Sequence, residues 1–174
     1  MVKIQVTQEI KQKAIQAATD QVEHAYNRFG FDENKRLNQF IIGNIGELAF
    51  ESFLINRLFD YQYNFVVGLA DQYDFIVNGF KIEVKTSAFY NNYGFQSLNL
   101  LYSEDQYKTG LKKGFNFCTV MMIEGKTKAG FDIDLCNFAY MVGSIKYKDI
   151  EKYKQKPRFY GDDYRVPLGG LKSK

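Results

Sequence analysis

The sequence predicts an α/β protein (α+β in stricter usage) with a mixed central β-sheet flanked by helices, and three observations carry that prediction. Residues 73–77 and 80–86 are β-branched and aromatic runs joined by Asn78-Gly79, a pair that tolerates the positive φ angles of a type I′ turn and so signals a tight hairpin. A strongly apolar helical pattern over about 37–59 precedes the hairpin, and a short capped helix over 104–113 follows it. Residues 117–123, FCTVMMI, are a continuous apolar run of buried-strand length.

The 174 residues fit one domain with room for a substantial core. No stretch reaches the roughly 18 apolar residues of a transmembrane helix. The start, MVKIQVTQEIKQK, lacks the apolar centre of a secretory signal. Cys118 and Cys136 lie in apolar segments without metal-ligand spacing, as expected of buried free thiols in a reducing cytoplasm. With His24 the single histidine, a zinc site or a histidine-based centre lacks its residues, so any metal must be held by oxygen.

Taken in order, residues 2–6 alternate as an edge strand, and Thr7 caps a packing helix. Its apolar positions Ile10, Ala14, Ala17, Ala18, Ala25 and Phe29 lead to the helix stop Gly30, with His24 on the polar side and without a role. Residues 31–36 make a polar loop. Within the helix over 37–59, Gly43 and Gly46 each cost about 1 kcal/mol relative to Ala, a cost met where a helix must come close to a sheet or a ligand. Gly43, Asn44, Glu47 and Glu51 form one small, polar strip, apart from Ile41, Ile45, Leu48 and Ala49. Residues 61–67 form the first strand and 68–71 the link into the hairpin.

After Ser87, the loop AFYNNYGF offers Phe89, Tyr90, Tyr93 and Phe95 for stacking on bases or for packing onto the domain itself. Ser103 caps the helix over 104–113, and Gly114 stops it. Beyond 117–123 come a charged turn (124–130), a returning strand (131–135) and a further strand (139–145) with Gly143 as a bulge. Residues 146–158, KYKDIEKYKQKPR, carry six cations, among them Lys146, Lys148, Lys152, Lys154 and Lys156, against Asp149 and Glu151. That composition suits phosphate contacts, and equally a solvated helix face. YRVPLGGLKSK closes the chain in extended form.

Counting outward from a two-residue turn pairs Val77 with Phe80, Ile76 with Lys81, Phe75 with Ile82 and Asp74 with Glu83. Phe75, Val77, Phe80, Ile82 and Val84 then share an apolar face, with Asp74, Glu83 and Lys85 on the other. Facing carboxylates repel, by ~1 kcal/mol at 4 Å in water and ~4 kcal/mol at a surface-like dielectric. A divalent cation reverses that sign, and Mg²⁺ is typically held by one or two carboxylates with water and substrate phosphate completing its shell. Lys85 reaches a phosphate oxygen or the attacking water from the same face. Taken alone, Glu-x-Lys on a strand is better explained by Lys85 neutralising Glu83 on a solvated surface; the facing Asp74, the apolar back and the hairpin shift the balance to a metal site.

Asp74 followed across a hairpin by Glu83-Val84-Lys85, with GNIGELAFESFL and its Glu47 on the preceding helix, resembles the PD-(D/E)xK nuclease superfamily. The naming proline is absent, Tyr73 standing in its place. The resemblance covers about residues 37–123 and implies a restriction-endonuclease-like αβββαβ core, with 1–36 a helical extension and 124–174 further strands and a basic segment. It implies that Asp74, Glu83 and the main-chain carbonyl of Val84 hold Mg²⁺ or, in its place, Mn²⁺. Lys85 would orient or activate water, and Glu47 would assist as a further ligand or base.

The expected activity is metal-dependent hydrolysis of phosphodiester bonds in DNA, by an endonuclease before an exonuclease, acting as a homodimer or within a larger complex. A non-catalytic nucleic-acid-binding or assembly module is the alternative. The charge distribution agrees with a polyanionic partner. Residues 41–100 carry three basic against six acidic side chains, whereas 101–174 carry fourteen basic against nine acidic.

Overall fold

The computed structural model describes residues 1–24, 30–64, 73–90, 99–154, 164–168 and 171. Strand β1 (Val2–Gln5) leads into helix α1 (Gln8–His24), where Thr7 Oγ1 accepts the Ile10 N–H at 3.2 Å as the cap. Helix α2 (Glu33–Asn56) begins four residues earlier than its apolar periodicity suggests. The reason is Asp32, whose side chain accepts the Lys35 N–H at 2.8 Å, so that the polar stretch expected as loop becomes the first helical turn. The stop expected at Gly30 follows residues 25–29, which lie outside the described residues.

Next come β2 (Tyr61–Tyr63), β3 (Phe75–Val77) and β4 (Phe80–Ala88). The expected continuation of β2 through 65–67 lies outside the described residues. Asn78 and Gly79 have φ of 48° and 82°, the left-handed pair that a type I′ turn requires. After β5 (Asn99–Tyr102), helix α3 (Glu104–Lys113) is bounded as the sequence predicts. Ser103 and Gln106 form a reciprocal capping box, and Gly114 closes the helix at φ 75°. Strand β6 (Phe117–Ile123) precedes a small hairpin, β7 (Lys126–Thr127) with β8 (Gly130–Phe131). The strand expected over 131–135 is thus a two-residue arm followed by turns. Strand β9 (Phe138–Lys146), a 3-10 helix (Tyr147–Tyr153) and β10 (Tyr164–Pro167) follow among the described residues.

The six-stranded sheet has the order β1-β9-β6-β4-β3-β2. β4 and β6 are parallel, joined through α3, and the other neighbours are antiparallel. A helix, three strands, a helix and a strand therefore follow one another over 33–123, with β5 inserted before α3. The sheet is wider than the hairpin region alone predicts, because β9 lies between β6 and β1. The first strand thereby pairs with a strand more than 130 residues later in the chain. A register shift opposite Val120 and Met121 skips Val142, placing a bulge beside Gly143.

Alternation along the strands divides the core in two. Phe75, Ile82, Val84, Met121 and Ile123 meet α1 and α2 on one face. Cys118, Val120 and Met122 meet Tyr102, Tyr107 and Tyr147 on the other. Gly46 explains its own presence in α2, since a Cβ there would lie 1.8 Å from Thr86 Oγ1, whereas a Cβ on Gly43 would meet nothing within 4 Å. Asn44 of the expected polar strip is buried and ties α2 to α1 through Ala14 O at 3.3 Å and Gln21 Oε1 at 3.0 Å. Phe80 departs from its expected burial: it is 51% exposed, because it sits at the turn, where its ring meets Phe117 edge-on. No helix among the described residues is long and apolar enough to cross a membrane.

Candidate active site

The hairpin register holds for Phe75–Ile82, Ile76–Lys81 and Val77–Phe80. Beyond Phe75 the strand gives way to a bend at Asp74, whose N–H still reaches Ile82 O at 3.3 Å. The Asp74 side chain turns toward β4, and its Oδ2 accepts the Val84 N–H at 2.6 Å. A carboxylate thus replaces the backbone partner that a longer β3 would have supplied. A charge-assisted bond of this kind also offsets part of the repulsion expected between Asp74 and Glu83. The same contact holds the Val84 main chain, the expected third donor, against Asp74.

Glu83 divides its carboxylate between two partners. Oε1 lies 2.8 Å from Lys85 Nζ, the side chains being 13% and 33% exposed respectively. Oε2 accepts the Tyr102 hydroxyl. Burial works against the Lys85 ammonium, but the Glu83 charge and hydrogen bond, with smaller effects of Cys118 and Asp74, hold its pKa above 10.5. Burial first, then Cys118 and Glu83, push the Tyr102 phenol well above 10.0. The Cys118 thiol, paired beside Glu83 on β6, is pushed up by burial and then by the Glu83 charge, and both cysteines are buried free thiols.

Asp74 and Glu83 open on one cleft of about 270 Å³, also lined by Asp105, Gln106, Thr109 and Lys113 of α3. A second cleft, of about 220 Å³, starts at Lys85 and continues past Ser87 to Asn99 and Leu101. The acidic pair and the lysine therefore occupy successive places along the α3-side face of β4, as alternation requires.

Glu47 is not among the residues lining either cleft. It belongs to α2, on the opposite side of the sheet, where its Oε2 accepts the Tyr63 hydroxyl at 2.9 Å. Tyr63 in turn stacks on Phe75, with centroids 4.5 Å apart and planes 3° from parallel. Burial, then Glu47, Glu51 and Asp74 raise the Tyr63 phenol far above its ordinary value. Glu51 repeats the arrangement with Tyr61 at 3.0 Å. Among the described residues, no group of three or more His, Cys, Asp or Glu is placed to hold a metal.

The expected nucleic-acid contacts are spread more widely. Tyr90 is exposed, with Lys126 Nζ 5.2 Å from its ring centroid; Tyr93 and Lys156 lie outside the described residues. Lys146, Lys148, Lys152 and Lys154 are exposed on and beside the 3-10 helix. Lys152 pairs with Asp149 at 2.9 Å, and Lys154 with Glu104 at 3.5 Å. The latter contact brings the basic segment against the start of α3, next to Asp105 of the cleft wall.

Two residues at the site carry no signal in the sequence. Tyr102 is the inward position of the alternation Asn99-Leu100-Leu101-Tyr102, in which Leu100 and Tyr102 are buried and their neighbours exposed. Four residues beside a loop are too short for that period to stand out. Asp105 reads as an ordinary acidic residue in a first helical turn, and only the placement of α3 across β4 brings it to Glu83. No protein-family model, curated protein or solved structure matches this chain.

Proposed function

We propose that this protein is a metal-dependent nuclease that hydrolyses phosphodiester bonds, with DNA as its substrate. The observation that carries the reading is the opening of Asp74 and Glu83 on one cleft, with the Lys85 ammonium 2.8 Å from Glu83 and lining the neighbouring cleft. The donor set fits Mg²⁺ or Mn²⁺: the cleft walls offer carboxylate, amide and hydroxyl oxygen, without thiol or imidazole. Asp74, Glu83 and the Val84 carbonyl are the residues that would hold the ion. When bound, it supplies polarisation of the phosphoryl oxygen and a lower pKa for the attacking water.

The chain's own groups do the rest. Lys85 places a cation where negative charge builds on the phosphate, and its partial burial strengthens that interaction relative to water. The Tyr102 hydroxyl fixes the Glu83 carboxylate, and the Val84 N–H fixes that of Asp74, so neither must be oriented at the moment of reaction. Lys148, Lys152 and Lys154 contact substrate phosphates away from the scissile bond. Glu47 acts on Tyr63 at the sheet margin and is outside the ligand set of this reading.

A second reading, a nucleic-acid-binding module without catalysis, is favoured by one observation: Lys85 and Tyr102 already engage both oxygens of Glu83. Incubation of supercoiled plasmid and of labelled duplex, branched and single-stranded DNA with purified protein, with and without Mg²⁺, decides between them. Cleavage that requires Mg²⁺ and disappears with Glu83→Gln supports the nuclease. Binding without cleavage on every substrate supports the module.

A further inference from the structure

The two partners of Glu83 differ in how readily they can leave. Tyr102 is fully buried. Its strand is held by β10 through the pair Tyr102–Tyr164, and its ring meets Tyr147 edge-on at 5.8 Å and 81°. The ring therefore cannot move away from Glu83 without repacking that cluster. Lys85 is a flexible chain with a third of its surface in solvent. Its ammonium also lies 5.5 Å from the Tyr102 ring centroid, within the range of a cation–π attraction, so leaving Glu83 does not strand it. Oε2 is thus the anchored oxygen and Oε1 the exchangeable one.

We infer, resting on the metal-site reading above, that Tyr102 is a positioning residue for Glu83 and that Lys85 is the resident counter-ion of a metal site. Tyr102 holds Oε2 while Oε1 changes partner, from the Lys85 ammonium to a divalent cation arriving through the cleft shared with Asp74. Metal binding then releases Lys85 toward the neighbouring cleft. The lysine becomes available to substrate phosphate only once the carboxylate pair is neutralised from the other side. Metal occupancy and presentation of the lysine are coupled through one carboxylate, without movement of the backbone.

The test is direct binding of Mn²⁺ to the full chain, read by the loss of free-ion electron paramagnetic resonance signal, for wild type, Tyr102→Phe and Lys85→Met. Tyr102→Phe keeps the ring and removes the hydroxyl; it weakens Mn²⁺ binding by about 10-fold or more, as loss of a hydrogen bond to a metal-ligating group does elsewhere. Lys85→Met tightens binding, since the competing cation is gone. A purely structural hydroxyl would lower the melting temperature without metal and leave the Kd of the folded molecules unchanged. Equal Kd values for wild type and Tyr102→Phe overturn the positioning role, and equal values for wild type and Lys85→Met overturn the exchange. If Tyr102→Phe does not fold, the Lys85→Met comparison carries the test. Absence of Mn²⁺ binding by wild type defeats the metal-site reading itself, and this inference with it.

Discussion

Asp74 Oδ2 accepts the Val84 N–H at 2.6 Å, a side chain completing the hydrogen bonding of β4 where β3 has ended. Asp74 therefore has a structural task separable from any ligand role. Asp74→Ala orphans a part-buried N–H and is expected to lower stability by about 1–3 kcal/mol. Asp74→Asn retains an oxygen acceptor and loses less than half as much. Urea melts in the absence of divalent ions measure both.

Divalent ions separate the second task from the first. Mg²⁺ or Mn²⁺ raises the melting temperature of wild type, because a ligand bound only by the folded state adds RT ln(1 + [L]/Kd), about 2.7 kcal/mol at a hundred times Kd. Asp74→Asn and Glu83→Gln fold but lose that shift. A wild-type melting temperature independent of either ion defeats the metal site.

Lys85→Ala is expected to slow single-turnover cleavage by about 10²–10³, the effect of removing one transition-state interaction of roughly 2.7–4 kcal/mol. Replacing Lys152 and Lys154 with Gln leaves that rate intact at saturating enzyme. The salt dependence of duplex binding flattens instead, by about 0.9 in slope for each phosphate no longer neutralised. Fluorescence anisotropy from low to moderate salt, alongside quenched cleavage, checks both halves.

Gly43 and Gly46 should respond oppositely to alanine. A methyl on Gly43 meets nothing and one on Gly46 collides with Thr86. Gly43→Ala gains up to about 1 kcal/mol of helix propensity. Gly46→Ala costs about 1–3 kcal/mol as α2 is forced off β4. Denaturant midpoints of the two variants give the sign directly.

Alkaline pH should unfold the protein through its tyrosines. Burial raises Tyr63, Tyr102 and Tyr147 above the ordinary phenol value of 10.0, with the Glu47 or Glu83 charges adding to it. Above pH 10.0 the unfolded chain loses these protons while the folded one keeps them, so stability falls as pH rises. Lys85, raised above 10.5 by Glu83 against the pull of burial, contributes fully below that value and acts in the same direction above it. Absorbance at 295 nm is expected to show these phenols ionising together with loss of the folded circular dichroism. Independent titration near 10 in folded protein would contradict their burial.

What the sequence determined by itself is what depends on neighbours along the chain. The Asn78-Gly79 turn fixed three pairs of the hairpin, since a type I′ turn allows one register. Ser103, Gln106 and Gly114 bounded α3, and period-two alternation put Phe75, Ile82 and Val84 in the core with Glu83 and Lys85 across from them. A cap at Asp32 moved the start of α2 back because a polar first turn carries no apolar signal. Tertiary structure decided the rest. The bend at Asp74 depends on where β3 stops pairing. The burial of Tyr102 against Glu83 depends on β10, more than sixty residues downstream. Glu47 had a suitable place in the sequence, yet α2 packs on the face of the sheet that Glu83 leaves. Asp105 reached the cleft instead because α3 crosses the other face between two parallel strands. Which side of a sheet a helix covers is set by the burial of whole apolar faces, and no local pattern of charges records it.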